Sequence, residues 1–136
     1  MTMTGGCLCG SVRYELTAEP VLTGLCHCLS CQKQSGGAFS VNLAVPRAGL
    51  SIEGTTLKTF EDTGETGQPV QRLFCENCGS PIVSLADTIP DIAFVKAGTL
   101  DDTSGLAPTM EIWCETAQPW VVIDPERAQA ARNPKG

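Results

Sequence analysis

The chain has 136 residues, of which 42% are hydrophobic and only 5% aromatic, and its formal net charge is −6. This length predicts one domain, residues 1–136, with a core of aliphatic side chains. An acidic chain repels phosphate backbones unless a basic patch overrides the total charge, so we expect no nucleic-acid partner. The cations of the first hundred residues are scattered singly, at Arg13, Lys33, Arg47, Lys58, Arg72 and Lys96.

The sequence shows no targeting or membrane-spanning pattern. Residues 1–6 have neither the basic start nor the apolar run of a secretory signal. No apolar stretch approaches the roughly 18–20 residues that span a bilayer. We therefore expect a cytoplasmic protein without a membrane partner, and in that reducing compartment clustered cysteines favour metal or redox chemistry over disulfides.

Short segments with the pattern of strands alternate with turns along the chain. In residues 11–17, Val12, Tyr14 and Leu16 alternate with polar residues, which is the period of a half-buried strand. Further strands are predicted at residues 39–45, 50–52, 57–60, 71–74, 92–95, 110–114 and 120–123. Residues 62–69, which contain two glycines and a proline, predict the loop of a hairpin.

Two segments have a helical pattern. Residues 30–35 predict a single turn, and residues 125–132 predict a short C-terminal helix with Asp124 as its cap and Pro125 in its first position. Residues 133–136 are expected to fray. Because strands are many and helical periodicity is confined to these short segments, the chain is predicted to be all-β.

Seven of the eight cysteines fall into three tight clusters whose spacings suit metal ligands. The clusters are C-x-C at Cys7 and Cys9, C-x-C-x-x-C at Cys26, Cys28 and Cys31, and C-x-x-C at Cys75 and Cys78. A structural zinc site takes four protein ligands, whereas a catalytic one takes three and leaves a position for water or substrate. The seven residues therefore predict two zinc ions per chain, one structural and one at an open site.

The two cysteine pairs are predicted to form the structural site. Two intervening residues let Cys75 and Cys78 face one point, and Gly79 permits the positive φ that brings backbone N–H groups toward the thiolates. Cys7 and Cys9 are also followed by a glycine. A zinc ion held by both pairs closes a long loop and so removes entropy from the unfolded chain.

The remaining trio is predicted to hold the second metal. Compact thiolate sets favour a soft or borderline ion, so zinc is the first candidate and iron–sulfur the second, although a cluster normally takes four cysteines. Purely structural zinc, with His27 or Cys114 as fourth ligand, and a disulfide framework are the alternatives. His27 lies between two ligands, where alternation points it away from the metal, and Cys114 lies in an apolar run that predicts a core position.

Three motifs resemble those of the glutathione-dependent formaldehyde-activating enzymes and their relatives, which include centromere protein V. The opening motif is GGCLCGSVRYE at residues 5–15, the central motif is CHCLSCQKQSGGA at residues 26–38, and the third is RLFCENCGS at residues 72–80. Residues 98–102, 112–113 and 119–120 also fit. The resemblance spans residues 5–120 and leaves residues 124–136 as a C-terminal tail.

The resemblance implies an all-β, zinc-stapled tent of small antiparallel sheets. It places Cys7, Cys9, Cys75 and Cys78 at the structural zinc, and Cys26, Cys28 and Cys31 at the catalytic one. The activity it implies is a carbon–sulfur lyase reaction, which joins glutathione and formaldehyde to S-hydroxymethylglutathione or reverses that step. Glu111 stands where many relatives have a histidine.

These features together predict a zinc enzyme that makes or breaks a bond between a small thiol and an aldehyde. The thiol is expected to reach the open metal site, with His27 or Glu111 as candidate proton shuttle. Lys33 and Arg47 are the cations nearest in sequence that can receive the carboxylates of glutathione. A zinc-stapled binding module and a thiol redox sensor are the rival hypotheses.

Overall fold

A computed structural model describes residues 2–133 of the chain, and strands dominate it. The strands are β1 (Met3–Gly6), β2 (Arg13–Leu16), β3 (Leu22–Cys26), β4 (Ser40–Pro46), β5 (Leu50–Glu53), β6 (Leu57–Thr63), β7 (Pro69–Cys75), β8 (Pro81–Ala86), β9 (Ile92–Lys96), β10 (Met110–Ile112) and β11 (Ala128–Gln129). A single α-helix among these residues, α1 (Leu29–Ser35), and three short 3₁₀ turns complete the described structure. None of the described helices is long and apolar enough to span a membrane. The all-β prediction is confirmed.

The strands form two sheets of unequal size. The smaller has the order β1-β2-β5, and all its pairs are antiparallel. The larger has the order β11-β10-β3-β4-β9-β8-β7-β6 and is antiparallel from β3 to β6. β10 pairs in parallel with both β3 and β11, so one end of the larger sheet is a parallel addition.

Most predicted elements lie where the sequence pattern places them. Strands occur within or across the predicted segments up to residue 114, the hairpin loop joins β6 and β7, and the predicted turn at residues 30–35 is α1. The sequence pattern missed β1, β3 and β8. β1 and β3 contain glycines, and β8 begins with Pro81, so their composition argues against strand.

Two C-terminal predictions are wrong. Residues 120–123 form turns and irregular backbone, and residues 125–132 form turns and the two-residue strand β11 in place of a helix. The backbone N–H of Ala128 donates to Thr109 O at 3.1 Å, and that of Ala130 donates to Glu111 O at 2.9 Å. Pairing with β10 therefore takes the hydrogen bonds that a helix needs, and it outweighs the local helix propensity. Residues 134–136 of the predicted tail lie outside the described residues.

The core lies between the two sheets, and strand alternation divides the larger sheet into a core face and an open face. Ala93 and Val95 of β9 are fully buried in the core, next to Leu43 and Val45 of β4. The alternate residues of β9, which are Ile92, Phe94 and Lys96, face the other way and line a cavity. The same short strands thus supply both the hydrophobic core and the wall of a candidate site.

Candidate functional site

The two cysteine pairs converge, as predicted, although 66 positions separate Cys9 from Cys75. The four Sγ atoms of Cys7, Cys9, Cys75 and Cys78 all lie within 4.8 Å of one another. Cys7 Sγ is 3.5 Å from Cys9 Sγ, which in turn is 3.8 Å from Cys75 Sγ. The cluster joins the loop after β1 to the end of β7 and so links the two sheets.

Two matching turns shape this cluster. Gly10 has φ +84° and its N–H donates to Cys7 O at 3.1 Å, while Gly79 has φ +81° and its N–H donates to Cys75 O at 2.7 Å. Both φ values lie in the left-handed region, which favours glycine. The backbone N–H of Val12 also donates to Cys7 Sγ at 3.2 Å, so a main-chain donor supports this sulfur.

Hydroxyl groups favour the thiolate form of the two more exposed sulfurs. The Ser80 hydroxyl lies 3.3 Å from Cys78 Sγ, and this interaction contributes most to lowering the pKa of Cys78 to about 5. The Ser11 hydroxyl has the same effect on Cys9, whose pKa is lowered to about 7. Burial raises the pKa of Cys7. Four converging sulfurs, two of them readily ionised, fit a tetrahedral zinc ion.

The second cluster is held by β3 and the start of α1. Cys26 ends β3, Cys28 is the N-cap of α1, and Cys31 lies in its first turn, where its N–H donates to Cys28 Sγ at 3.3 Å. The three Sγ atoms lie within 4.8 Å of one another, and all three residues are buried. Trp113 packs against them.

The three sulfurs of the trio oppose one another's ionisation. Hydrogen bonds from Cys26 and Cys28 place the pKa of Cys31 far below its usual range, and the same contacts raise the pKa of Cys26. Ionisation of one sulfur therefore opposes ionisation of its neighbours, because buried like charges repel. Three soft donors in this state fit a thiophilic cation such as zinc, whose charge would stabilise them together.

A cavity of about 590 Å³ opens onto the trio. Cys26, Cys28 and Cys31 all line it, whereas Cys7, Cys9, Cys75 and Cys78 do not. Its volume lies within the range of small-molecule sites. The number of cysteines in each cluster predicts one open and one closed metal site. The two clusters differ in the same sense in their access to a cavity, because the trio faces one and the four-cysteine cluster does not.

Two buried cations line the same cavity, and sequence reasoning did not select them. Lys96 Nζ donates to Asn42 Oδ1 at 2.9 Å, and Arg72 Nε donates to Asp62 Oδ2 at 2.8 Å. Lys33 and Arg47, nominated from their position in sequence, are exposed and do not line the cavity. The missed signal is a lone cation within or directly after an apolar strand segment, as in residues 71–74 and 92–96.

The two candidate proton shuttles are buried away from the cavity. His27 Nε2 lies 2.8 Å from Glu111 Oε1, both side chains are fully buried, and neither residue lines the cavity. Glu111 Oε2 also accepts from Arg127 Nη1 at 3.3 Å and from the backbone N–H of Asp124 at 3.1 Å. The pair therefore ties the β3–α1 turn to β10 and the C-terminal segment, and it is not placed to move protons at the trio.

Cys114 lies outside both clusters. It is half-buried, and its Sγ donates to Glu111 O at 3.5 Å. His27 and Cys114 were the candidates for a fourth ligand at the trio, and neither belongs to the group of sulfurs that can share an ion. The described structure thus brings three cysteine sulfurs together at the cavity, without a fourth protein donor beside them among residues 2–133.

Comparison with known proteins assigns this all-β architecture with two cysteine clusters to a family. The family model described as "Glutathione-dependent formaldehyde-activating enzyme" matches residues 2–116, so the chain belongs to that family. A Halomonas elongata protein described as a candidate enzyme of this name is 28% identical over 130 residues, covering 91% of this chain and 82% of that one. A similarly described Sordaria macrospora protein is 33% identical over 70 residues, covering 52% of this chain and 29% of its own length.

A solved structure shows the same fold. The crystal structure of a Rhodobacter sphaeroides protein superposes with a TM-score of 0.61 and 20% sequence identity. The match covers 78% of this chain and 92% of that one. At this level of identity the likeness extends to the fold alone.

Proposed function

We propose that the chain is a zinc-dependent carbon–sulfur lyase-type enzyme that acts on a thiol–aldehyde adduct, formed by glutathione and formaldehyde or by a related pair. The observation that carries the proposal is the difference in access between the two cysteine clusters. Three sulfurs face a cavity, and four others converge away from it. The family description supports the same reaction class.

In this proposal two zinc ions occupy each chain. Cys7, Cys9, Cys75 and Cys78 would hold the structural ion, and Cys26, Cys28 and Cys31 the catalytic one. With three protein ligands, a zinc ion would offer an open position at which a substrate thiol becomes a thiolate at neutral pH.

The chain's own residues would set the environment of that position. Lys96 lies on the cavity wall and helps to lower the pKa of Cys31, so its charge offsets the negative charge of the thiolates. Trp113 and Ile112 pack against the trio and exclude water from one side of it. The cavity would hold thiol and aldehyde together, and such proximity accelerates their reaction.

We also propose that residues 1–136 form one domain of a cytoplasmic protein. The larger sheet supports the first point, because its strands run from Leu22 to Gln129. The clustering of seven cysteines at metal-ligand spacing supports the second, since such clusters favour metal chemistry in a reducing compartment.

The experiment compares Cys26→Ser with Cys114→Ser in elemental analysis and in NMR exchange between thiol, aldehyde and adduct. The unmodified chain should carry two zinc ions and accelerate exchange of at least one thiol–aldehyde pair. Cys26→Ser should retain one zinc ion and lose the acceleration, whereas Cys114→Ser should retain both. Two zinc ions without acceleration of any pair would favour a binding module, and zinc release on mild peroxide, reversed by reductant, would favour a redox sensor.

A further inference from the structure

The cavity that opens onto the three-cysteine trio has an apolar floor. We propose that the substrate adduct carries an aliphatic or aromatic group that lies on this floor; this inference rests on the proposed function. The floor consists of side chains from β3, β4, β7, β8 and β9, which are Leu22, Ala44, Val70, Ala86, Ile92 and Phe94. The floor points to a substrate class in which the thiol or the aldehyde has a polar reacting end and an apolar tail.

Strand register places the floor toward the start of β3, whereas Cys26 of the trio lies at the end of this strand. Leu22 pairs with Ala44, and Ala44 pairs with Phe94, so these three side chains form one row across β3, β4 and β9. Cys26 lies four residues beyond Leu22 on β3, which corresponds to about 13 Å along a strand. A group attached to a sulfur or carbon at the trio can therefore extend over this row.

The charges of the cavity disfavour a strongly anionic occupant. Arg72 is already bonded to Asp62, and Glu65 adds a further carboxylate to the lining. Lys96 is the one lining cation without a carboxylate partner among residues 2–133, and it faces the thiolates of the trio. A carboxylate buried without a partner is costly, so the two carboxylates of glutathione can lie only at the open rim.

One polar atom interrupts the floor. Ser84 pairs with Phe94 in the sheet, and its Oγ is buried without a hydrogen-bond partner in the described structure. Buried hydroxyl groups are normally satisfied, so this atom points to a ligand oxygen or nitrogen that completes it. An apolar group with a hydroxyl or carbonyl oxygen, as an aldehyde adduct has, supplies both kinds of contact.

The test measures affinity as a function of chain length, by saturation-transfer NMR on the zinc-loaded protein. Straight-chain thiols from propanethiol to decanethiol form one series, and glutathione with propanal to undecanal forms the other, so that the longest chains span the distance from the trio to the floor. Each methylene that becomes buried should tighten binding by about fourfold. The series that shows this slope identifies the partner that carries the apolar group.

Matched variants assign the slope to the floor. Ala86→Phe fills the floor and should flatten the slope, whereas Ala48→Phe makes the same change at an exposed site outside the cavity and should preserve it. Ala48→Phe should leave the exchange rate of the glutathione–formaldehyde pair within about twofold of that of the unmodified chain, because Ala48 lies outside the cavity.

The outcomes separate this inference from the proposed function. A flat slope in both series, together with turnover of glutathione and formaldehyde, would overturn the inference and leave the proposed function intact. A length-dependent slope that Ala86→Phe removes, without turnover of any pair, would support the floor as a binding site and overturn the proposed reaction. A slope that survives Ala86→Phe would place the apolar group elsewhere and would also overturn the inference.

Discussion

The two cysteine clusters should differ in what they contribute to stability, and paired serine variants measure the difference. Cys75→Ser removes a ligand from the cluster that bridges 66 positions of sequence, whereas Cys26→Ser acts on a cluster whose ends are five positions apart. Loop closure costs about 0.6 kcal/mol for each doubling of length, so a clip on the longer loop contributes roughly 2 kcal/mol more. Cys75→Ser should therefore destabilise the fold by at least that additional amount.

The assay is thermal unfolding of zinc-loaded protein under reductant. For a chain of this size, 2 kcal/mol corresponds to a difference in Tm of roughly 7 °C between the two variants. Cys114→Ser is the matched control and should unfold within about 0.5 kcal/mol of the unmodified chain, because Cys114 belongs to neither cluster. Equal losses for Cys26→Ser and Cys75→Ser would refute the division into a structural and an open site.

Three further predictions concern single side chains. Lys96→Met should weaken zinc binding at the trio by about tenfold, measured by chelator competition, and leave the Tm nearly unchanged because an apolar isostere replaces a buried charge. Glu111→Ala should cost about 3 kcal/mol in chemical unfolding because it leaves His27 and Arg127 without their partner, yet the cavity volume and zinc content should persist. Burial raises the pKa of Tyr14 to about 12, so the unfolded chain releases this proton first, and stability should fall as pH rises from about 10 to 12. Tyr14 is the only tyrosine, so a tyrosinate absorbance midpoint near 10 in the native protein would contradict this assignment.

The cysteine clusters could be predicted from sequence because metal-ligand chemistry requires few residues at local spacing. A knuckle such as Cys75 to Gly79 carries its own turn, and the positive φ of Gly79 is a local property. Because a closed zinc site takes four ligands, the Cys75–Cys78 pair needs two more cysteines, and Cys7 and Cys9 form the other pair in the chain. No knowledge of the strands between them was needed, which is why this long-range contact was predictable.

The cavity could not be predicted because it depends on which face each strand presents. Lys96 and Val95 are neighbours in sequence, yet Val95 lies in the core and Lys96 on the cavity wall. A shift of one residue in register would exchange them. This register is fixed by pairings between strands that are distant in sequence, such as Asn42 with Lys96 and Ser84 with Phe94.

The helix predicted for the C-terminal segment is wrong for a related reason. Its Ala, Glu, Gln and Arg content favours a helix, and propensity is the only information that the isolated segment contains. In the fold, β10 offers an unpaired edge, and Ala128 and Gln129 pair with it. Hydrogen bonds to an existing sheet edge outweigh a short helix, which is marginal by itself.

β7 runs from the four-cysteine cluster to the cavity onto which the trio opens, so the four-cysteine cluster has a part in shaping that cavity. Cys75, at the end of β7, belongs to the four-cysteine cluster, and Arg72, three residues earlier, lines the cavity and holds Asp62. Arg72 also pairs with Ser84 of β8, whose hydroxyl interrupts the apolar floor. Holding the end of β7 in place therefore constrains the position of the wall that carries Arg72 and Ser84, across the register shift between β7 and β8 at Leu73 and Phe74. A defect in the four-cysteine cluster should for this reason alter the cavity without touching any of its lining residues.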